Sequence, residues 1–264
     1  MKIPYITKKQ QDILYQILQF RFLNSTQIQK LLHHKDKRRI NGWLKQLKEL
    51  DFVAKYEDTI SASDKTKPAI FHLSLNGIRF LMMQGIDPTL LHKLYRERQR
   101  SVEFINHSLL LANIFLNLKD HTAKEDSFTF YTQSDYFQTD SPYQFLKELA
   151  PDIYLTRKIG KEKTKQYLLH VIPESMLRFR SYKLPKKIKD YLSFYFTNSW
   201  ENQTKTPFPT LLFILPDMAA LINLQRYIQR LFNENNHPKI HIWLATKAEI
   251  QQHGFTGTPW EEVN

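Results

Sequence analysis

The stretch DKRRINGWLKQLKEL, residues 36–50, decides how the first part of the chain is read. At 100° per residue, Ile40, Trp43, Leu44, Leu47 and Leu50 fall on one stripe of a helix. Arg38, Asn41, Gly42 and Lys45 fall on the opposite face, flanked by Lys37 and Lys48. One face can pack on a small core while the other meets a polyanion. On an isolated helix that pattern is only a solvated basic face; its neighbours give it another meaning. Upstream, residues 8–20 carry Ile13, Leu14, Ile17 and Leu18 at helical spacing. RFLNSTQIQKLLH then offers Asn24 or Ser25 as the cap of a second helix, with Ile28, Leu31 and Leu32 inward. Downstream, FVAKY (52–56) and AIFHL (69–73) are short β-type runs. Between them lies polar, turn-rich EDTISASDKTKP, with Lys65 and Lys67 near its tip. Helix, helix, basic helix and a lysine-bearing ribbon is the plan of a winged helix-turn-helix. Lys37, Arg38, Asn41, Lys45, Lys48, Lys65 and Lys67 are therefore its expected DNA contacts, and double-stranded DNA its expected partner.

The charge distribution points the same way. The 264 residues carry a formal charge of +12. Residues 1–100 hold 19 Lys/Arg against 9 Asp/Glu, and residues 101–264 hold 19 against 17. A basic part thus stands beside a nearly neutral one, as expected when the first binds nucleic acid. The 42% hydrophobic content supports real cores, and the 6 glycines argue against a low-complexity chain. Without cysteine, disulfides, thiolate nucleophiles and cysteine-ligated zinc are excluded. MKIPYITKKQQD lacks an apolar signal segment, and runs such as LLFIL (211–215) are too short to span a bilayer, so a cytoplasmic protein with no membrane partner is expected.

LSLNGIRFLMMQG (73–85) reads as a fourth helix, capped by Ser74 or Asn76 and ending at Gly85. This places a winged-helix domain over residues 1–88. KLYRERQR closes a linker or connecting helix over 89–100, and a second domain covers 101–264. In that second domain, 101–118 is a strongly apolar helix and 128–132, 153–157 and 166–172 are strands. KLPKKIKDYLSFYF (183–196) is a helix with Ile188, Leu192 and Phe196 inward. PTLLFILP (209–216) and KIHIWLAT (239–246) read as buried strands flanking a helix at 218–232. Strands alternating with helices imply an α/β layered domain, so the whole chain is expected to be α+β.

In its order of motifs the chain resembles the replication-relaxation family of mobile-element proteins. ILYQILQFRFLNSTQIQKLL, the basic helix and LSLNGIRFLM are similar to that family's opening elements. INHSLLLANIFLNL resembles its central helix, which begins near a histidine, here His107. APDIYL (150–155) is similar to its Pro-Asp strand. TPFPTLLFILPD and HIWLATKAEIQQHGF, with Gly254, resemble its closing segments. The resemblance covers roughly residues 8–260. It implies a winged helix followed by a restriction-endonuclease-like domain, and an accessory role in replication or conjugative transfer of a plasmid or integrative element. A relaxase or replication protein of the same element and a second copy of the chain are candidate protein partners. A transcriptional regulator and a metal-dependent DNA endonuclease are the alternatives.

Nucleases of the restriction-endonuclease type set one Asp on a strand and an acidic residue and a Lys two positions apart on the next, to hold Mg²⁺. Asp152 is the weak candidate for the first carboxylate. QYLLHVIPES offers His170, Val171 and Ile172 where the acidic residue and lysine belong. Glu174 follows Pro173 and has no lysine two positions on. No catalytic residue, metal or cofactor is therefore expected; Glu148 and Glu174 are where a missing carboxylate would first be sought. His33, His34 and His72 are expected to be solvated rather than metal-ligating. Lys183, Lys186, Lys187 and Lys189, with Arg178 and Arg180, form a second basic patch, read as a solvated face, a second phosphate contact or a docking surface.

Overall fold

The computed structural model describes residues 4–56, 67–123, 126–138, 141–158, 160, 164–177 and 182–263. The fold is α+β, and the chain divides into two compact units. The first comprises residues 1–116 and 134–144, the second residues 117–133 and 145–264.

The first unit opens with α1 (Lys8–Phe20), β1 (Leu23–Asn24), α2 (Ser25–Leu31) and α3 (Lys37–Glu49). Each helix start has its own cap. Thr7 and Gln10 form a reciprocal capping box on α1. Asn24, rather than Ser25, caps α2: its side chain accepts from Gln27 N at 2.9 Å while Gln27 Oε1 accepts from Asn24 N at 3.0 Å. Ile13, Leu14 and Ile17 of α1, Ile28 of α2 and Ile40, Leu44 and Leu47 of α3 meet in one core, none more than 2% exposed. Each such burial contributes about 1.5–3 kcal/mol. β2 (Val53–Lys55) and β3 (Ile70–Leu73) follow, and β3 runs between β1 and β2 in a three-stranded antiparallel sheet. Val53 faces Leu73 and Lys55 faces Phe71. The wing tip expected between these strands, with Lys65, lies outside the described residues; Lys67 is described and exposed.

α4 (Leu75–Met83) stops two residues before Gly85. Neither expected cap caps it. Ser74 stands at the N-cap, yet its hydroxyl donates to Asp51 Oδ1 at 2.5 Å, and Asn76 Nδ2 donates to Leu50 O at 2.9 Å. These bonds tie α4 to the end of α3 instead. Gly77 lets the helix approach the backbone there: a Cβ at this position would lie 2.2 Å from Phe52 O.

Residues 89–100, read from the sequence as a linker or connecting helix, are helical. They form α5 (Pro88–His92) and a 3₁₀ turn at Lys93–Gln99, with Leu90, Leu91, Leu94 and Glu97 buried. Glu97 forms an ion pair with Arg21 and lies 3.7 Å from Arg100 Nε, and both guanidinium groups sit over the Phe104 ring. Buried leucines and the Arg21–Glu97 ion pair hold this segment in the first unit. α6 (Val102–His121) follows; Gln27 Nε2 donates to its Leu109 O and Asn113 Oδ1 at 2.8 and 2.7 Å. α7 (Gln133–Tyr136) returns to the first unit, where Ser134 Oγ donates to Leu18 O at 2.8 Å.

The second unit is built on a six-stranded mixed sheet, β4 (Ser127–Thr132), β5 (Ile153–Lys158), β6 (Lys165–Val171), β7 (Thr210–Leu215), β8 (Ile242–Thr246) and β9 (Glu261–Glu262), in that spatial order. α8 (Leu146–Leu149) precedes β5. β4, β5 and β6 pair antiparallel, β6–β7 and β7–β8 parallel, and β9 closes the edge antiparallel. A parallel pair needs a crossover, and helices supply both. α9 (Lys183–Phe196) and α10 (Ser199–Thr204) lie between β6 and β7, and α11 (Met218–Glu234) between β7 and β8. α12 (Lys247–Gly257) leads to β9. Successive strand residues face opposite sides. His170 and Phe213 meet Tyr191 of α9 on one side, where Tyr154 also meets Trp200 of α10. Leu155, Tyr167 and Leu212 line a cavity on the other, together with Leu118 of α6 and Phe255 of α12. Ile188 and Leu192 of α9 point inward as expected, but Phe196 is 51% exposed. It occupies the last position of the helix. β8 starts three residues later than expected, at the point where pairing with Leu211 begins. Among the described residues no helix is long and apolar enough to cross a membrane.

Candidate nucleic-acid interface

The described cations of the first unit gather most clearly on α3. Asp36 starts the helix: its carboxylate accepts from Arg38 N at 2.8 Å, and its own N–H donates to His34 Nδ1 at 3.1 Å. With Ile40, Leu44 and Leu47 held in the core, rotation of the helix is fixed. Lys37, Arg38, Asn41, Gly42, Lys45 and Lys48 are consequently exposed together. Gln10 Nε2 donates to Gln46 Oε1 at 2.9 Å, which ties α1 to the flank of α3. A Cβ built on Gly42 meets nothing within 4 Å, so the middle of this face is open. Lys45 lies 3.9 Å from Glu49, an exposed i,i+4 pair worth about 0.3–0.5 kcal/mol that phosphate could readily displace.

Trp43 is only half-buried, at the border of the two faces. The His34 ring packs edge-on against it at 5.2 Å, and the Arg39 guanidinium lies 5.7 Å from its centroid. Arg39 is an exposed cation that the sequence reading left out; its i,i+4 spacing from Trp43 is the signal that could have found it. His33 is exposed and His34 half-buried. His72 corrects the expectation of solvation. It is 5% exposed, its ring lies 5.4 Å from that of Phe22, and its Nδ1–H donates to Leu73 O at 2.8 Å. Burial lowers its pKa, partly opposed by the charge of Glu97.

The candidate catalytic residues sit in the second unit. Asp152 precedes β5; its N–H donates to Leu169 O at 2.9 Å and its Oδ2 accepts from Val171 N at 2.8 Å. The carboxylate thereby joins the starts of β5 and the end of β6. Of the second basic patch, Lys183, Lys186 and Lys189 are exposed, whereas Lys187 turns in. Its Nζ donates to Leu149 O at 2.9 Å, and burial lowers its pKa against the opposing charges of Asp152 and Asp190. A cavity of about 320 Å³ opens here, bordered by Glu148, Lys183, Lys186, Lys187 and Asp190. Glu174 is exposed on the 3₁₀ turn Glu174–Leu177. Arg178 and Arg180 lie outside the described residues. Nearby, Tyr191 is completely buried, which pushes its pKa well above the ordinary value, and its hydroxyl is hydrogen-bonded to His170 Nε2 at 2.6 Å. Among the described residues no group of three or more His, Asp or Glu side chains could hold a metal ion.

A family model described as Replication-relaxation matches residues 14–206. The chain belongs to the replication-relaxation family. Comparison with curated proteins and with solved structures gave no match. In this member of the replication-relaxation family the match takes in α3 and its exposed cations, Asp152 and the lysines of α9, and ends after α10. The closing β7–α11–β8–α12–β9 segment, which the motif order also ascribed to the family, lies beyond it.

Proposed function

We propose that this replication-relaxation protein is a double-stranded-DNA-binding accessory factor for replication or conjugative transfer of a plasmid or integrative mobile element, acting in the cytoplasm. The observation that carries the proposal is α3: three apolar side chains lock its orientation, and Lys37, Arg38, Asn41, Lys45 and Lys48 are left exposed on one side. In this reading residues 1–88 work as a winged helix. α3 enters the major groove, Arg38 and Asn41 read base edges, and Lys37, Lys45 and Lys48 contact phosphate. Arg39, braced on Trp43, adds a phosphate contact. The β2–β3 connection is the wing, with Lys65 and Lys67 on the backbone. Family membership supports the role in replication of a mobile element.

The second unit is read as an endonuclease-like scaffold without cleavage activity. Asp152 engages one carboxylate oxygen with the Val171 N–H, and its charge acts on the Lys187 ammonium. Exposed Lys183, Lys186 and Lys189 would then serve a further phosphate contact or the docking of a relaxase, a replication protein or a second copy. Sequencing of the DNA fragments retained by the protein tests the assignment. Enrichment of an origin or transfer region of the element is expected. Enrichment only of the promoter of its own operon would make it a transcriptional regulator, and no enrichment over random fragments would remove the DNA-reading role.

A further inference from the structure

We infer that the second unit carries a separate pocket for an unpaired base of single-stranded DNA, built on the β5–β6–β7–β8 face by Arg157, Tyr167, Trp243, Phe255 and Trp260. These residues border a cavity of about 150 Å³ with Leu212 at its floor. Drug-sized ligands occupy about 300–1,000 Å³, so this space suits one planar ring system. Its walls are chemically uneven. Phe255 and Trp260 pack edge to face at 5.5 Å and present ring surface. Arg157 brings the opposite character: its Nε is buried with no hydrogen-bond partner among the described residues. A buried donor left unpaired costs about 1–3 kcal/mol, which an acceptor on a base edge would recover. Burial also raises the pKa of Tyr167, against the pull of Arg157, so its phenol remains a donor.

The wall on the α12 side is set by its local chain geometry. Gly254 has φ +70°, and a Cβ there would lie 2.4 Å from the Asn117 amide. Asn117 Oδ1 in turn accepts from Thr256 N at 2.9 Å. This kink swings Phe255 and Thr256 onto the sheet face instead of continuing α12 straight.

The occupant follows from what adjoins the rings. Lys165 pairs directly opposite Arg157, which places both on one face, and Lys165 is exposed. A cation beside an aromatic pocket matches a phosphate beside a base. Stacking of bases on aromatic side chains with a basic track alongside is how single strands are bound without sequence preference. A paired base inside a duplex cannot reach such a pocket. The site is independent of α3, which belongs to the other unit.

The test uses the full chain and three labelled probes of one length: a single-stranded oligonucleotide, the same strand with abasic sites, and its duplex. Trp260→Ala and Arg157→Gln should each weaken the base-bearing single strand roughly tenfold, within the range of about 1–3 kcal/mol per stacked base. Duplex binding should stay unchanged, and the abasic strand should bind the native protein as weakly as the base-bearing strand binds the variants. Trp260→Phe keeps a ring in place and should retain most single-strand affinity; it decides the matter if Trp260→Ala lowers the melting temperature. Native protein that ignores single strands, equal affinity for base-bearing and abasic strands, or unchanged single-strand binding in Arg157→Gln would each overturn the inference. Arg38→Ala in the same assay changes only the duplex arm, so failure of the α3 reading is seen separately.

Discussion

Gly42 and His72 show how single residues separate stability from function here. Glycine inside an exposed helix costs about 1 kcal/mol relative to alanine, and a Cβ at position 42 meets nothing within 4 Å. Gly42→Ala should therefore raise the thermal midpoint by an amount corresponding to about 1 kcal/mol. It should also weaken duplex binding, because the added methyl stands between Arg38 and Lys45 on the proposed groove-facing surface. A melt together with a duplex titration checks both, and higher stability with unchanged affinity would move the interface elsewhere. His72 acts through pH. Burial holds its folded pKa below the ordinary value, so the unfolded chain binds the proton more readily. The stability it contributes is present above the unfolded pKa of about 6.5 and is lost as pH falls from there through the lower folded pKa, with Glu97 and Arg98 as the facing charges. Melting curves from pH 7.5 to 5 should show a decline that His72→Phe reduces; identical pH profiles would contradict the assignment.

Among the elements, the ribbon and α3 divide the work in the proposed complex. Lys67 is exposed at the start of the run into β3, and lysine is a point charge suited to phosphate rather than to base edges. Replacing Lys65 and Lys67 by alanine should lower affinity nearly equally for cognate and random duplexes, and reduce the salt slope by roughly 1–2 units. Loss of sequence preference at an unchanged slope would assign base reading to the wing. The elements themselves were legible where periodicity was strong. α1 and α9 begin and end where the spacing of Ile13, Leu14 and Ile17, and of Ile188 and Leu192, places them. Features set by distant partners were not legible. The burial of His72 comes from Phe22, the inward turn of Lys187 from carbonyls of residues 149 and 150, and the packing of residues 89–100 from Arg21. The pocket at Arg157 was hidden for the same reason, since its walls come from four strands, the end of α6, the kinked α12 and Trp260 beyond it.

At the scale of the whole molecule, two compact units divide the proposed tasks. The first presents exposed cations on a fixed helix, and the second offers a mixed sheet with Asp152 engaged by backbone. Incubation of supercoiled and single-stranded DNA with Mg²⁺ or Mn²⁺ should give no cleavage. Cleavage by the native chain that vanishes in Asp152→Ala would restore the endonuclease reading and direct attention to Glu148 and Glu174. The central claim, however, is that α3 reads duplex DNA, and a titration of the full native chain and of Arg38→Ala with a retained duplex and a random duplex tests it most directly. Arg38→Ala should lose about 1–3 kcal/mol on the retained duplex, tolerate one changed base pair there, and melt like the native protein. Equal affinity of the two proteins for both duplexes, with melting unchanged, would show that α3 is not the reading element.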